Sequence, residues 1–234
     1  MELKALDWDS TFWNIPIYSL TLEAEDNWEK VVHMVNESGA ALVYLFLPVD
    51  ADFSELINTN HKIVLKDEKL TYGMDISTLS GQTDDAVVEF VGNPDKEFFE
   101  LARTAGLFSR FKIDDRLSHK FNELYDLWLL NSVNQSIADK VFIYKDVDNS
   151  IAAFLTASIK NQIGTIGLIA TKENQRGKGI GQKLINHLHD WYLTKKINYS
   201  TVVTQKKNIS ACHFYEKIGF KLIKEELVYH WWVK

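Results

Sequence analysis

Alternating glycines in the second half of the chain carry the clearest chemical signal. They lie in the segment QRGKGIG, residues 175–181. Glycine lets the main chain approach a ligand closely and tolerates positive φ angles. If a helix begins here, the N–H groups of its first turn have no helical acceptor, and its dipole favours a negative charge in front of them. The segment therefore predicts a diphosphate site built from backbone amides.

The flanking sequence supplies the elements that would position this loop. An apolar run, residues 165–171, precedes it, and an amphipathic stretch that starts at Ile180 follows it. This order predicts a strand, a turn and a helix. The spacing is not that of a P-loop, since no Gly-Lys-Ser/Thr follows a four-residue gap, and it is not the Gly-x-Gly-x-x-Gly of dinucleotide-binding folds.

A second pattern follows further along the chain. Residues 199–205 predict a β-branched strand, and a short helix with one apolar face comes after it and ends at Gly219. Its residues form the pattern Asn208-x-x-Ala211-x-x-Phe214-Tyr215-x-x-x-Gly219-Phe220.

Together with Arg176-x-x-Gly179-x-Gly181, this pattern resembles the GCN5-related N-acetyltransferases. The resemblance implies an α/β fold in which the central strands splay apart and acetyl-CoA lies between them. It also implies that Asn208 binds the pantetheine arm and that Tyr215, beside the thioester sulfur, is the general acid. The predicted coenzyme-binding residues are Leu168, Ile169, Ala170, Arg176, Gly177, Lys178, Gly179, Ile180, Gly181 and Asn208.

Amide formation sets further requirements. The acceptor amine must be neutral to attack the thioester directly, so a base or a water chain has to accept a proton. We expect backbone N–H groups of residues 168–170 to hold the developing oxyanion. Many members of the family carry a glutamate on the strand before the glycine loop, but residues 166–171 contain none. The base is left open between His119, Asp75, Glu123 and ordered water.

Composition narrows the class of protein. A net charge of -6 argues against a nucleic-acid partner, and the single cysteine, Cys212, fits a reducing compartment. The N-terminus does not resemble a signal peptide, and no apolar stretch is long enough to cross a bilayer. His187 and His189 are two residues apart on a predicted helix, which does not suit a metal site. We predict a cytoplasmic enzyme that uses no metal and binds no membrane. A homodimer is left open.

Turn signals predict two domains. A small α/β domain, residues 1–78, would be followed by a linker, residues 79–85, and by the acetyltransferase domain, residues 86–234. Within the first domain, the charged residues 66–69 predict a turn between two strands.

A narrower resemblance concerns the acceptor. Residues 6–13, residues 106–114 and the pattern Phe121-x-x-x-Tyr125-x-x-Trp128 are similar to the dTDP-fucosamine acetyltransferase subfamily. It implies transfer to the amino group of a nucleotide-linked dideoxy sugar. Arg110, Phe111 and Lys112 would then bind this substrate through a cationic fork and ring faces. The alternatives are a surface Arg110 beside core phenylalanines, a peptide or other small-amine acceptor, and a non-catalytic acetyl-CoA sensor.

Overall fold

The computed structural model describes residues 1–59, 62–79 and 83–233. The strands are β1 (Leu3–Ala5), β2 (Ile17–Thr21), β3 (Leu42–Pro48), β4 (Ile63–Asp75), β5 (Val87–Glu89), β6 (Lys140–Lys145), β7 (Ile151–Lys160), β8 (Ile163–Thr171), β9 (Tyr199–Gln205) and β10 (Lys221–Trp232). The helices are α1 (Asp7–Trp13), α2 (Trp28–Glu37), α3 (Ser54–Thr59), α4 (Lys96–Thr104), α5 (Arg110–Ile113), α6 (Phe121–Val133), α7 (Ile180–Thr194) and α8 (Ile209–Lys217). Short 3₁₀ turns cover Ser118–Lys120 and Glu173–Gln175.

The chain forms two compact units. Unit 1 contains Met1–Leu70, Gln205–Lys207 and the residues from Lys224 onward, and unit 2 contains Thr71–Thr204 and Asn208–Ile223. The C-terminal residues belong to unit 1 because the end of β10 pairs with β3, with Trp231 opposite Val43. The predicted division into domains at residues 79–85 stays a prediction, and residues 80–82 of that linker lie outside the described residues.

Unit 1 is a small α/β layer structure. Its strands follow the order β1-β2-β3-β10-β4, with β2 and β3 parallel. Helix α2 starts at the cap Asn27, whose side chain accepts from the Lys30 N–H, and buries Val31 and Val35. The charged residues 66–69 do not form the predicted turn, since β4 continues through them. Lys69 instead pairs with the buried Glu226 at 2.9 Å, so these charges are satisfied within a strand.

Unit 2 contains a mixed sheet in the order β4-β9-β8-β7-β6-β5. Strands β5 to β8 are antiparallel neighbours, and β8 and β9 are parallel. Helix α7 packs on this sheet through the buried Tyr192, whose hydroxyl donates to the carbonyls of Ser158 at 3.2 Å and Thr165 at 3.0 Å. The predicted α/β class with a mixed sheet is confirmed.

Strands β8 and β9 separate along their length. They pair only from Gly164 opposite Ser200 to Ile166 opposite Val202, although β8 continues to Thr171 and β9 to Gln205. Within the described part of the chain, the last five residues of β8 therefore have no strand on their β9 side. This opening agrees with the expected splaying of the central strands.

No helix among the described residues is both long and apolar enough to span a membrane.

Candidate active site

The glycine segment forms a tight connection between β8 and α7. After the 3₁₀ turn, Gly177 and Gly179 both have positive φ angles, 76° and 77°. Residues with a side chain rarely adopt this conformation, so glycine is required here by the backbone alone. Gly179 is the N-cap of α7, and no side chain caps the helix.

The N–H groups of residues 177–182 make no hydrogen bond to any described residue. The first helical bond of α7 is donated by Lys183 to the Gly179 carbonyl at 3.1 Å. A Cβ added at Gly177 or Gly179 would meet no atom within 4 Å, so the space beside them is open. Orphaned amides at the N-terminus of a 15-residue helix, with open space beside them, have the geometry of an anion site.

Gly181 has a different structural role. A Cβ at this position would lie 3.0 Å from the ring of Phe214 in α8, which is tighter than ordinary packing. The missing side chain lets α7 and α8 approach each other. Ile180, the first residue of α7, is buried. The coenzyme contacts predicted for both residues stay predictions, and their main-chain N–H groups are the parts that can make them.

Hydrogen bonds to nearby residues hold the two cationic side chains of the glycine segment, Arg176 and Lys178. Exposed Arg176 donates from Nε to the Thr171 carbonyl at 3.2 Å, and Lys178 donates from Nζ to the Gln175 side chain at 2.7 Å. Gln175 in turn donates to the carboxylate of Asp146, in the turn before β7. This chain of contacts keeps positive charge close to the orphaned amides.

The hydrogen bonds along β8 correct part of the prediction for the oxyanion site. The Leu168 N–H donates to Thr156 Oγ1 at 2.8 Å and the Lys172 N–H to the Ala152 carbonyl at 2.8 Å, and both acceptors are on β7. Because main-chain N–H groups alternate in direction along a strand, Ala170 also faces β7. Only the Ile169 N–H, among residues 168–170, is directed to the open side. Leu168 and Ala170 are therefore wrong as oxyanion donors.

Asn208 is the N-cap of α8. Its side-chain oxygen accepts from the Ala211 N–H at 3.3 Å, which fixes the side chain and stabilises the helix start. This capping leaves the amide Nδ2 group as the part of the side chain that can donate to a ligand. The predicted pantetheine contact is compatible with this arrangement.

Tyr215 is almost completely buried on α8, with 3% of its surface exposed. Its ring packs against the rings of Tyr72 and Phe220, with distances of 5.9 Å and 5.8 Å between ring centroids. Its hydroxyl makes no hydrogen bond to a described residue. Burial raises the pKa of Tyr215 above its ordinary value, with a smaller contribution from Cys212. The phenol therefore keeps its proton at neutral pH, as a general acid must before it donates.

Sequence reasoning missed two residues that support this region. Buried Tyr72, at the end of β4, donates to Glu216 Oε1 at 2.9 Å and so ties α8 to that strand. Thr156 holds the Leu168 N–H as described above. A threonine within the otherwise apolar run of residues 151–157 was the available signal, but its partner is set by strand pairing.

The predicted acceptor residues form one short helix, α5. The Arg110 guanidinium lies over the Phe111 ring, 4.4 Å from its centroid, and the Lys112 ammonium lies 4.9 Å from the Phe121 ring. Phe108, just before α5, is 43% exposed. The Arg110 guanidinium and the Phe111 ring thus form a single surface and not two separate binding groups.

The candidates for the general base gain little from the structure. Asp75 is exposed and accepts from the Ser77 N–H at 2.9 Å. Hydrogen bonds from Ser77 lower the pKa of Asp75, which makes it a weaker base. His119 and Glu123 are both exposed. The base therefore stays open, with ordered water among the alternatives.

Fold and site together define a class: an α/β protein in which a helix start with orphaned amides follows the unpaired edge of a splayed strand. The model of the Acetyltransferase (GNAT) family matches residues 101–220. The chain belongs to this family, which confirms the predicted resemblance.

Several curated relatives match parts of the chain. The spore coat polysaccharide biosynthesis protein SpsD of Bacillus subtilis is 30% identical over 134 residues, which are 57% of this chain and 46% of SpsD. Streptothricin acetyltransferase of Escherichia coli is 34% identical over 62 residues, 26% of this chain and 36% of that protein. The chain thus spans less than half the length of these two relatives.

A similar fold occurs in solved structures. A conserved protein of unknown function from Staphylococcus epidermidis has a TM-score of 0.62 and 12% identity, over 93% of this chain and 84% of that protein. A GCN5-related N-acetyltransferase from Sphaerobacter thermophilus has a TM-score of 0.57 and 12% identity, over 93% of this chain and 73% of the other. At this identity the likeness concerns the fold.

Proposed function

We propose that the protein is an acetyl-CoA-dependent N-acetyltransferase. The acceptor in this proposal is a nucleotide-linked amino sugar of the dTDP-4-amino-4,6-dideoxyhexose type. The observation that carries the coenzyme assignment is the run of orphaned N–H groups at residues 177–182, at the start of α7 and beside open space. A pyrophosphate supplies the negative charge and the acceptor oxygens that such a site requires.

The reaction follows from the residues around that site. The acceptor nitrogen forms a bond to the acetyl carbon, and the carbon–sulfur bond of the thioester breaks. The Ile169 N–H stabilises the negative charge that develops on the carbonyl oxygen. Tyr215 donates its proton to the departing sulfur, and the amine's proton passes to water or to a base. Burial keeps Tyr215 protonated at neutral pH, so the proton that the sulfur needs is present.

Two observations support an amino-sugar nucleotide as the acceptor. The Arg110–Phe111 surface combines a guanidinium, which binds phosphate in bidentate fashion, with a flat ring. The relative SpsD is named for polysaccharide biosynthesis. An acceptor with a diphosphate, a base and a sugar presents groups for both parts of this surface.

A different small amine is the second candidate. Streptothricin acetyltransferases from Escherichia coli and Bacillus subtilis match 62 and 79 residues of the chain at 34% identity. These matches support acetyl transfer to an amine without requiring a nucleotide. A peptide acceptor and a non-catalytic acetyl-CoA sensor are the remaining alternatives.

A thiol-release assay with a panel of acceptors tests the proposal. We expect turnover with a dTDP-4-amino sugar and, for Tyr215→Phe, a fall in kcat of roughly 10²- to 10⁴-fold. Tyr229→Phe is the matched control, since Tyr229 is also largely buried but belongs to unit 1. Turnover only with streptothricin or peptides would overturn the assignment of a nucleotide sugar as the acceptor. Full activity of Tyr215→Phe would overturn the assignment of Tyr215 as the general acid.

The Arg110 surface has its own test within the same assay. Arg110→Ala should raise KM for the nucleotide sugar and leave KM for acetyl-CoA unchanged. Arg110→Lys should recover part of the loss, since it keeps the charge but not the planar fork. An unchanged acceptor KM in Arg110→Ala would remove this residue from the site.

The cytoplasmic location and the lack of metal, membrane and nucleic-acid partners stay predictions.

A further inference from the structure

Strand β8 contains a bulge where it leaves β9. Ala153 opposes Thr171 and Leu155 opposes Ile169, but two residues further along β7, Ala157 opposes Ile166. Thr156 alone thus faces both Gly167 and Leu168, so β8 carries one extra residue. A bulge of this kind bends the strand and changes the direction of its main-chain groups. It lies at the level where the β8–β9 pairing ends, at Ile166.

The hydroxyl of Thr156 fills the bulge. In a regular ladder the Leu168 N–H would donate to the main-chain carbonyl of residue 156, as Lys172 donates to that of Ala152. It donates instead to Thr156 Oγ1 at 2.8 Å, and both residues are buried. A Cβ on Gly167 would lie 2.6 Å from the same oxygen. The glycine and the hydroxyl therefore fit each other.

We propose that Thr156 is a positioning residue for acetyl transfer. Its hydrogen bond to Leu168 holds the bulge and thereby fixes the position of the next amide, the Ile169 N–H, which faces the open side of β8. This inference rests on the proposed function, in which that N–H binds the carbonyl oxygen of the thioester. Thr156 does not touch the substrate and acts only through the backbone of β8.

The variants Thr156→Val and Thr156→Ser separate the hydroxyl from the shape of the side chain. Valine has nearly the same shape but no acceptor for the Leu168 N–H, whereas serine keeps the hydroxyl. Gly167→Ala is an independent test, because its Cβ would push Thr156 Oγ1 away from Leu168. It supplies the same measurements if Thr156→Val does not fold.

The decisive readout is the infrared carbonyl band of protein-bound acetyl-CoA labelled with ¹³C at the carbonyl. A hydrogen bond from Ile169 lowers the frequency of this band in the unmodified protein. We expect the band to move back towards its frequency in a non-hydrogen-bonding solvent in Thr156→Val and Gly167→Ala, and to stay in Thr156→Ser. The kcat should fall by roughly 10-fold or more in the first two variants. Their affinity for CoA, which lacks the acetyl carbonyl, should stay within about twofold of the unmodified protein.

The outcomes separate the inference from the proposed function. An unmodified protein that binds neither CoA nor acetyl-CoA in calorimetry contradicts the proposed function itself. If it binds both, an unchanged carbonyl band in Thr156→Val or Gly167→Ala overturns the role of Thr156. A band that moves equally in Thr156→Ser also overturns it, since serine retains the hydroxyl.

Discussion

Replacing Gly179 with alanine separates the backbone requirement of this residue from its proposed role beside the coenzyme. Its φ angle is 77°, and a Cβ there meets nothing within 4 Å. The folding cost is therefore that of a left-handed residue, about 1–2 kcal/mol. Gly39 in unit 1 has a φ angle of 73° and equally open surroundings, so Gly39→Ala should cost the same free energy of unfolding.

Coenzyme binding should distinguish these two variants. A methyl group at residue 179 stands beside the orphaned amides and displaces the pyrophosphate from at least one of them. A hydrogen bond to a charged group contributes about 1.5–3 kcal/mol. The Kd for CoA should therefore rise roughly 10- to 100-fold in Gly179→Ala and stay unchanged in Gly39→Ala.

Isothermal calorimetry with CoA measures the affinity, and urea unfolding measures the stability of the same preparations. The reasoning is refuted if Gly179→Ala binds CoA as tightly as the unmodified protein despite its lower stability. It is also refuted if Gly39→Ala loses affinity to the same extent, because the loss would then follow stability rather than position.

Three further predictions concern neighbouring features. Gly181→Ala should lose about 1–3 kcal/mol of unfolding free energy by crowding Phe214, and the added change Phe214→Leu should recover part of it in urea unfolding. Asn208→Asp should keep the cap on α8 and its stability but weaken CoA binding in calorimetry, whereas Asn208→Ala should lose both. Burial lowers the pKa of His189 to about 4, against 6.5 in the unfolded chain, so its neutral form stabilises the fold above pH 6.5 and this contribution is lost as the pH falls towards 4. As the pH falls from 6.5 to about 4, the unfolding free energy of His189→Leu should therefore rise by up to about 3 kcal/mol relative to the unmodified protein. An equal pH dependence of both proteins would contradict the lowered pKa of His189.

The site elements that the sequence predicts correctly depend on local signals. Gly177 and Gly179 adopt positive φ angles, and the predicted short helix α8 follows β9. Gly219 follows that helix with a φ angle of 103°. Each of these features is decided within a few residues, so residue type and spacing are sufficient to predict it.

The features that sequence reasoning missed depend on distant pairing. The directions of the amides at residues 168–170 follow from the register of β8 with β7 and from the hydroxyl of Thr156. Lys69 suggests a turn by its charge, yet it lies in β4 because Glu226, far along the chain, neutralises it. Neither partner is identifiable from periodicity alone.

The binding of a diphosphate-bearing coenzyme by the glycine loop is tested most directly by NMR of the backbone amides. CoA should be titrated into ¹⁵N-labelled protein, with pantetheine, which lacks the pyrophosphate, titrated in parallel. We predict that CoA shifts the N–H resonances of residues 177–182 strongly and that pantetheine does not. Unchanged resonances at these residues with saturating CoA, or equal shifts with pantetheine, would contradict the account.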